Sequence, residues 1–332
     1  MGRTETQHTP LPPAIVAAAF RRALDEAAVY AGSTAPNPPV GCVLLDAAGR
    51  LLAAAAHRRA GEAHAEARAI AAAQDLGLAS AIHTVVVTLE PCNHTGRTPP
   101  CTDAIAATPA RHIVIGAVDP NPGVTGGGAA RLAAAGFAVT SVAELADPLA
   151  PALAADAARL IAPFAKRVTT GQPFITIKQA LDETGSMIPP PGARTFTSDA
   201  SLTLAHSLRR RADAILTGSG TVLADDPAFT VRRVADFPGK RRRLVLADRR
   251  HRVPAAYLEA ARQRGFEVEV SDDLATSLAR LGADGALEVL VEAGPTLTGY
   301  MLASGLWDEH VRITRHGAAD GTDHVEIRHI AA

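Results

Sequence analysis

Cysteine, aromatic residues and net charge are all scarce in this sequence. Its 332 residues include 3 Cys, 4% aromatic residues, and 33 Lys and Arg against 34 Asp and Glu, a formal net charge of -1. Three cysteines are too few for the disulfide framework of a secreted scaffold, so they are thiols, ligands or core residues. Without an excess of positive charge, a nucleic acid is disfavoured as the main partner.

Long uncharged apolar runs are missing as well. No apolar stretch of 18 residues is free of charge, and residues 1–13 lack the charged start and apolar run of a signal peptide. We therefore expect a cytoplasmic protein with neither a membrane nor a nucleic acid among its partners. A chain of this length, with 47% hydrophobic residues, can bury the cores of two domains.

Apolar periodicity predicts an α/β fold in both halves of the chain. In the first half, the predicted helices cover 13–31, 63–76, 102–107 and 129–135, and the predicted strands cover 40–45, 51–56, 84–89, 112–118 and 137–142. In the second half, the predicted strands cover 174–178, 214–217, 244–247, 266–270 and 287–292, and the helices cover 198–211, 255–264, 274–281 and 296–304. The turn at 46–49 predicts that the strands 40–45 and 51–56 form a hairpin. The alternation of strands and helices elsewhere is typical of parallel sheets. We predict domains over 1–147 and 173–332, joined by a linker helix within 148–172.

One histidine and two cysteines give the strongest chemical signal. His64, Cys92 and Cys101 form a three-ligand set for zinc that leaves a fourth position open for water, as in catalytic zinc sites. Glu66 lies at a predicted helix start, where its carboxylate can carry a proton between water and a substrate nitrogen. We expect Pro91 to open a helix that presents Cys92, because a helix N-terminus lowers the pKa of a thiol.

The order of these motifs matches zinc nucleobase deaminases, which carry His-x-Glu followed by Pro-Cys. The spacing differs from the usual Cys-x-x-Cys, because eight residues separate Cys92 from Cys101. Two such cysteines, taken alone, could equally be core thiols. Cys42 lies in an apolar strand and is predicted to be a buried core residue.

The insertion between the cysteines identifies a family. Residues 88–101 read TLEPCNHTGRTPPC and, together with APNPPVGC at 35–42, DPNP at 119–122 and GGG at 126–128, resemble the bifunctional deaminase/reductase family of riboflavin biosynthesis. The resemblance implies a cytidine-deaminase-like α/β/α domain that binds one zinc ion per chain and removes ammonia from a diaminopyrimidinone ribosylamino phosphate. It makes His64, Cys92 and Cys101 the zinc ligands and Glu66 the proton carrier. The substrate pocket that it implies contains Asn37, His94, Arg97, Thr98, Asp119 and Asn121. For Asp119 and Asn121 a plain turn is the alternative, and for His94 a role in capping the loop.

Two glycine-rich turns in the second half suggest a nucleotide cofactor. Residues 217–221 and 292–296 each follow an apolar strand, where backbone N–H groups can receive a phosphate. The stretches 212–227 and 289–297 resemble the reductase half of the same family. This implies a dihydrofolate-reductase-like α/β domain in which NADPH reduces the ribose of the deaminated product to a ribityl chain. The resemblance places Arg209, Arg232 and Glu292 at the substrate. It places along NADPH the residues Thr221, Asp225, Gly294, Pro295, Thr296, Leu297, Thr298, Gly299 and Tyr300.

Some positions depart from the family pattern. Thr184 stands where the family has Asp, the segment at Thr195 lacks a Trp, and we expect the strands after residue 309 to be shortened. An alternative is therefore an active deaminase with a second domain that does not reduce. A nucleic-acid deaminase with the same zinc site is disfavoured by the few aromatic residues available for base stacking. The family resemblance also implies a homo-oligomer.

Two basic runs have simple structural interpretations. Residues 209–211 end a predicted helix, where cations favour the helix dipole, although Arg209 also fits a phosphate-binding position. Residues 240–243 are predicted to form a solvated loop. Contact with the 2′-phosphate of the cofactor or with RNA is the alternative for this second run.

Overall fold

The computed structural model describes residues 9–95, 99–121, 127–189, 192, 195–315 and 322–330. The chain divides into two compact units, Met1–Thr169 and Thr170–Ala332, and each unit has its own sheet. Among the described residues, no helix is long and apolar enough to cross a membrane.

The first unit is a three-layer α/β/α fold. Its helices are α1 (Pro13–Ala28), α2 (Ala65–Asp75), α3 (Cys101–Ala106), α4 (Gly128–Ala134) and α5 (Ala150–Thr170). Its strands are β1 (Gly41–Leu45), β2 (Leu51–Ala56), β3 (Thr84–Leu89), β4 (His112–Ala117) and β5 (Ala138–Ser141), in the order β2-β1-β3-β4-β5. The hairpin predicted at 46–49 is present, and β1 runs antiparallel to β2. The expected parallel sheet is only partly correct, because β3 also runs antiparallel to β1. Strands β3, β4 and β5 are parallel.

Neighbouring residues of the strands feed two cores on opposite faces of this sheet. Cys42 and Leu44 pack with the residues of α2 on one face, and Val43 packs with α1 on the other. The α1 core also includes Leu153 and Ala157 of α5. Helix α5 occupies the segment for which a linker helix is predicted, and its contacts place it almost wholly in the first unit.

The second unit contains a seven-stranded sheet. Its strands are β6 (Phe174–Leu181), β7 (Ala214–Gly218), β8 (Arg242–Ala247), β9 (Phe266–Ser271), β10 (Glu288–Val291), β11 (Glu309–Arg315) and β12 (Asp323–His329). Its helices are α6 (Asp199–Arg211), α7 (Ser219–Asp225), α8 (Ala255–Gln263), α9 (Leu274–Ala283) and α10 (Pro295–Ala303). The strand order is β12-β11-β6-β10-β7-β8-β9, and every neighbouring pair is parallel except β11 and β12. The final two strands, expected to be shortened, are seven residues long each.

The basic run 240–243 is not the solvated loop that the sequence predicts. The side chain of Lys240 is only 9% exposed, and its Nζ lies 3.1 Å from Asp213 Oδ1. Lys240 also donates to the carbonyl oxygen of Arg211, while the buried Arg242 donates to the carbonyl oxygens of Arg209 and Arg210. These two cations satisfy carbonyls at the C-terminal end of α6, which would otherwise lack partners.

Candidate metal centre and nucleotide site

Three potential metal ligands converge at one point in the first unit. His64 is the N-cap of α2, Cys92 follows the end of β3, and Cys101 is the first residue of α3. Their ligand atoms all lie within 4.8 Å of one another. His64 Nδ1 lies 3.6 Å from Cys92 Sγ and 3.3 Å from Cys101 Sγ. Donors bonded to one tetrahedral zinc ion at Zn–S and Zn–N lengths of about 2.3 and 2.0 Å lie about 3.5 Å apart, so this set fits zinc.

The expected helix at Pro91 is absent, and Cys92 lies in an irregular segment that runs into the insertion. Pro99 and Pro100 do not permit a continuous helix here; Pro100 is the N-cap, and the helix begins at Cys101. The N-terminus of α3 nevertheless acts on the other cysteine, because the backbone N–H of Cys101 donates to Cys92 Sγ at 3.3 Å.

Hydrogen bonding also prepares one sulfur for metal binding. Hydrogen bonds from Cys101 and His64 outweigh burial and hold the pKa of the Cys92 thiol well below its usual value. The same contact and burial raise the pKa of the Cys101 thiol. A thiolate is the form that ligates a metal, so the lowered pKa of Cys92 favours its role as a ligand.

Glu66 lies beside the cluster in the first turn of α2. It is 3% exposed, and burial raises the pKa of its carboxyl group. A raised pKa favours the protonated form of the carboxyl group, which can donate a proton as well as take one back. Glu66, His64 and Cys92 line a common cavity of about 380 Å³, a volume suited to a small ligand.

Four of the six predicted pocket residues line this cavity: Asn37, His94, Asp119 and Asn121. Arg97 and Thr98 lie outside the described residues. The backbone N–H of Asn121 donates to Asp119 Oδ1 at 2.9 Å, so the turn proposed as an alternative is present as well. Burial raises the pKa of Asp119.

Two buried residues near the cluster were missed by the sequence analysis. Glu90 accepts hydrogen bonds from the backbone N–H groups of Ala129 (2.9 Å) and Asp119 (3.3 Å), and so ties the start of α4 to the segment that carries Cys92. The ring of His57 meets that of His64 edge to face at 5.2 Å, and burial lowers the pKa of His57. Each residue directly follows an apolar strand, which is a signal that could have revealed it.

The second unit gathers charged groups around Glu292, which directly follows β10. Arg209, in the last turn of α6, forms a bidentate ion pair with this carboxylate through Nε and Nη2, and Nη2 lies 2.8 Å from Oε2. Lys178 of β6 adds a second cation at 3.2 Å. Burial opposes ionisation of Glu292, but the charges of Lys178 and Arg209 outweigh it and lower the pKa to about 2. Lys178 was missed, although a lysine in an apolar strand is an available signal.

The two glycine-rich turns lie together at the carboxyl ends of β7 and β10, which are adjacent and parallel. The N–H of Gly294 donates to Thr221 Oγ1 at 2.8 Å. A Cβ atom at Gly218 would meet the side chain of Leu297. Helix α10 begins at Pro295, so its N-terminus points to the same edge. The carboxyl edge of a parallel sheet beside a helix N-terminus is where α/β folds bind dinucleotides, so these turns fit NADPH.

The other predicted residues of this unit are less closely grouped. Asp225 ends α7 and is exposed, Tyr300 is exposed on α10, and the Thr298 hydroxyl donates to the carbonyl of Ala293. Arg232 is exposed and donates through Nη1 to Thr230 Oγ1. Pro295, Thr296 and Gly299 lie on α10, the helix that also carries Thr298 and Tyr300. Thr184, which differs from the family pattern, donates through both its N–H and its hydroxyl to Asp182 Oδ1 in the turn after β6.

Comparison with known proteins matches each half of the chain to a family model. Residues 16–117 match the cytidine and deoxycytidylate deaminase zinc-binding region, and residues 174–315 match the RibD C-terminal domain. The riboflavin biosynthesis protein RibD of Mycobacterium tuberculosis is 39% identical over 278 residues, which cover 82% of this chain and 77% of that protein. RibD of Escherichia coli is 34% identical over 310 residues, which cover 83% and 81%.

Solved structures give the same result across both halves. RibD of Acinetobacter baumannii superposes with a TM-score of 0.77 at 30% identity, over 92% of this chain and 88% of that one. A diaminohydroxyphosphoribosylaminopyrimidine deaminase/5-amino-6-(5-phosphoribosylamino)uracil reductase of Thermotoga maritima superposes with a TM-score of 0.76 at 28% identity, over 94% and 90%. The predicted family and fold class are confirmed. The chain therefore belongs to the RibD family of riboflavin biosynthesis proteins, in which a zinc-binding deaminase domain precedes a reductase domain.

Proposed function

We propose that this chain catalyses two consecutive steps of riboflavin biosynthesis. The first is the hydrolytic deamination of 2,5-diamino-6-(5-phosphoribosylamino)pyrimidin-4(3H)-one to 5-amino-6-(5-phosphoribosylamino)uracil. The second is the NADPH-dependent reduction of the ribose of this uracil to a ribityl chain. The observation that carries the proposal is the cluster of His64, Cys92 and Cys101 beside the buried carboxyl of Glu66 in one cavity.

In the deaminase step, His64, Cys92 and Cys101 hold the zinc ion. Zinc, when bound, lowers the pKa of water to about 7 and so supplies a nucleophile at neutral pH. The Glu66 carboxyl group would accept one proton of the attacking water and pass it to the exocyclic nitrogen. The oxygen of the water would bond to the ring carbon as the carbon–nitrogen bond breaks and ammonia leaves. Its burial supports this role, because burial raises the pKa of the Glu66 carboxyl and so favours the protonated form that donates to the nitrogen.

The substrate of this step is held by polar groups around the cavity. Asn37, His94, Asp119 and Asn121 supply donors and acceptors for the ring and the sugar, which their place in the cavity lining supports. Arg97 and Thr98 are proposed as further contacts on the family resemblance, with Arg97 neutralising the phosphate.

In the reductase step, NADPH supplies the hydride, and Glu292, Arg209 and Arg232 face the substrate. Lys178 and Arg209 keep Glu292 ionised, so its carboxylate is an acceptor for ribose hydroxyls. The cofactor borders Thr221, Asp225 and the α10 residues named above, from Gly294 to Tyr300. The ties between the two glycine-rich turns support this placement.

Two further proposals concern the setting of the enzyme. A cytoplasmic location is supported by its three free cysteines, two of them in the metal cluster, since a reducing compartment keeps thiols unpaired. A homo-oligomer is supported by the family resemblance.

The test of the deaminase assignment is Glu66→Gln, with Glu26→Gln on α1 as the control. We expect Glu66→Gln to keep its zinc and to lose ammonia release by a factor of about 100 or more. The control should match the wild type in both measurements. Wild-type turnover by Glu66→Gln would overturn the proposed role of Glu66.

NADPH oxidation with the deaminated aminouracil tests the second domain. Absence of both NADPH binding and NADPH oxidation would favour a second domain that does not reduce.

A further inference from the structure

A buried histidine lies one helical turn before Arg209. His206 of α6 is 4% exposed, and its Nδ1 accepts a hydrogen bond from the backbone N–H of Arg232 at 2.9 Å. Residues three apart on a helix share a face. His206 and Arg209 accordingly both contact the segment 226–232, which follows α7. Neither the metal chemistry nor the cofactor turns use this histidine.

The direction of the hydrogen bond fixes the state of the ring. A backbone N–H can only donate, so His206 Nδ1 must be the acceptor, and the ring is neutral with its proton on Nε2. Burial lowers the pKa of His206 to about 4, and the charges of Arg209, Arg232 and Arg233 act in the same direction, whereas Glu292 opposes them. His206 is therefore a permanent acceptor at physiological pH.

The segment that His206 holds has an unfavourable backbone. Asp226 and Phe229 adopt positive φ angles of 41° and 53°, which L-residues other than glycine rarely do. Such a conformation persists only when the surroundings enforce it. Tyr257 Oη donates to the carbonyl of Pro227 at 2.8 Å, and the Phe229 side chain is buried.

Two contacts from α6 complete the support. Arg209 Nη1 donates to the carbonyl of Thr230 at 3.4 Å, and its guanidinium lies 5.8 Å from the centre of the Phe229 ring. His206 Nδ1 accepts the hydrogen bond from the backbone of Arg232 itself. One face of α6 thus joins the Arg209–Glu292 pair to the backbone of Arg232.

We propose that His206 is a positioning residue of the reductase site, which fixes the main chain of Arg232 so that the Arg232 guanidinium faces the same phosphorylated ribose as Arg209 and Glu292. This inference rests on the proposed reductase function. Loss of the acceptor removes the hydrogen bond that holds the backbone N–H of Arg232 and releases the end of a strained segment. The consequence falls on substrate binding, because Arg232 is exposed and contributes its side chain to the site rather than to the core.

The test compares two substitutions at His206. His206→Asn keeps an acceptor oxygen near the position of Nδ1, whereas His206→Leu removes it. We expect the KM for the aminouracil substrate to rise about tenfold in His206→Leu, with kcat and the Kd for NADPH changed less than twofold, and to return near the wild-type value in His206→Asn. Ammonia release by the first unit should be unchanged in both variants, and a circular dichroism melt shows that the second unit remains folded.

Combination with Arg232→Ala distinguishes action through Arg232 from a general structural effect. If His206 acts through Arg232, His206→Leu raises KM little further in the Arg232→Ala background. An unchanged KM in His206→Leu, or effects that multiply in the double variant, would overturn the inference. If His206→Leu unfolds the second unit, the comparison of His206→Asn with wild type decides: an impaired KM in a folded His206→Asn variant also overturns it. Failure of the wild-type chain to oxidise NADPH with the aminouracil would instead refute the proposed reductase function.

Discussion

A single added methyl group should disrupt the metal centre without removing any ligand. A Cβ atom on Gly128 would lie 1.9 Å from the carbonyl oxygen of Pro91, the residue before Cys92. Real Cβ contacts are not shorter than 3.0 Å, so Gly128→Ala must open this contact by about 1.1 Å. Leu132 anchors α4 in the core, so much of the movement falls on the segment of Pro91 and Cys92.

The displacement is large compared with what a zinc site tolerates. Metal–ligand distances vary by only about 0.2 Å around their ideal values, so a shift of about 1.1 Å removes Cys92 from the coordination shell unless the loop rearranges. Movement of α4 would also weaken the hydrogen bond from Ala129 N–H to Glu90. We expect zinc affinity to fall about 10- to 100-fold and the unfolding free energy to fall by about 2–5 kcal/mol.

The assay measures zinc per folded chain by competition with a chelator, together with ammonia release and a thermal melt. Gly282→Ala is the matched control, because its Cβ would lie 2.0 Å from the carbonyl oxygen of Gly171 in the second unit. The control should lose stability but keep zinc and ammonia release. Wild-type zinc affinity in Gly128→Ala would refute the argument that the Pro91 segment positions Cys92.

Three further predictions concern buried groups. The pKa of Glu292 is lowered to about 2, so its ionisation stabilises the fold at pH values above its ordinary pKa of 4.5. This contribution is lost as the pH falls toward 2. Urea titrations should therefore show a steeper loss of stability below pH 5 in the wild type than in Glu292→Gln. Lys240→Met leaves Asp213 without its cation and should lower the unfolding free energy by about 3–5 kcal/mol, with no change in the Kd for NADPH. Weaker NADPH binding at unchanged stability would instead indicate that Lys240 contacts the 2′-phosphate of the cofactor. Cys42→Ala should cost about 1 kcal/mol in a melt and leave the zinc content unchanged, and loss of zinc would contradict its place in the core.

Much of the fold could be predicted because it follows from local patterns. The apolar runs of β3 and the helical spacing of α1 depend on neighbours in sequence, and both elements lie where periodicity predicts them. The metal ligands could be predicted because His-x-Glu and Pro-Cys constrain chemistry strongly. The antiparallel pairing of β1 with β3 could not, since it depends on which strands become neighbours in the sheet.

Most of the errors and omissions have one physical cause, which is contact between residues distant in sequence. Lys240 looked solvated because its partners are Asp213 and the end of α6, almost thirty residues earlier. His206 and Lys178 gain their meaning only from Arg232 and Glu292. The error at Pro91 is a local one. Proline is typical of a helix start, but Pro91 lies in an irregular segment, and the helix begins only after Pro99 and Pro100.

The central claim is that one chain deaminates first and then reduces. The most direct measurement follows NADPH oxidation by wild type and Glu66→Gln with either the diaminopyrimidinone substrate or the deaminated aminouracil. We predict that the wild type oxidises one NADPH per ammonia released from the diaminopyrimidinone. Glu66→Gln should oxidise NADPH with this substrate at no more than about 1% of the wild-type rate, and the aminouracil should restore the wild-type rate. Oxidation at the wild-type rate by Glu66→Gln with the diaminopyrimidinone, or no oxidation by the wild type with the aminouracil, would contradict this claim.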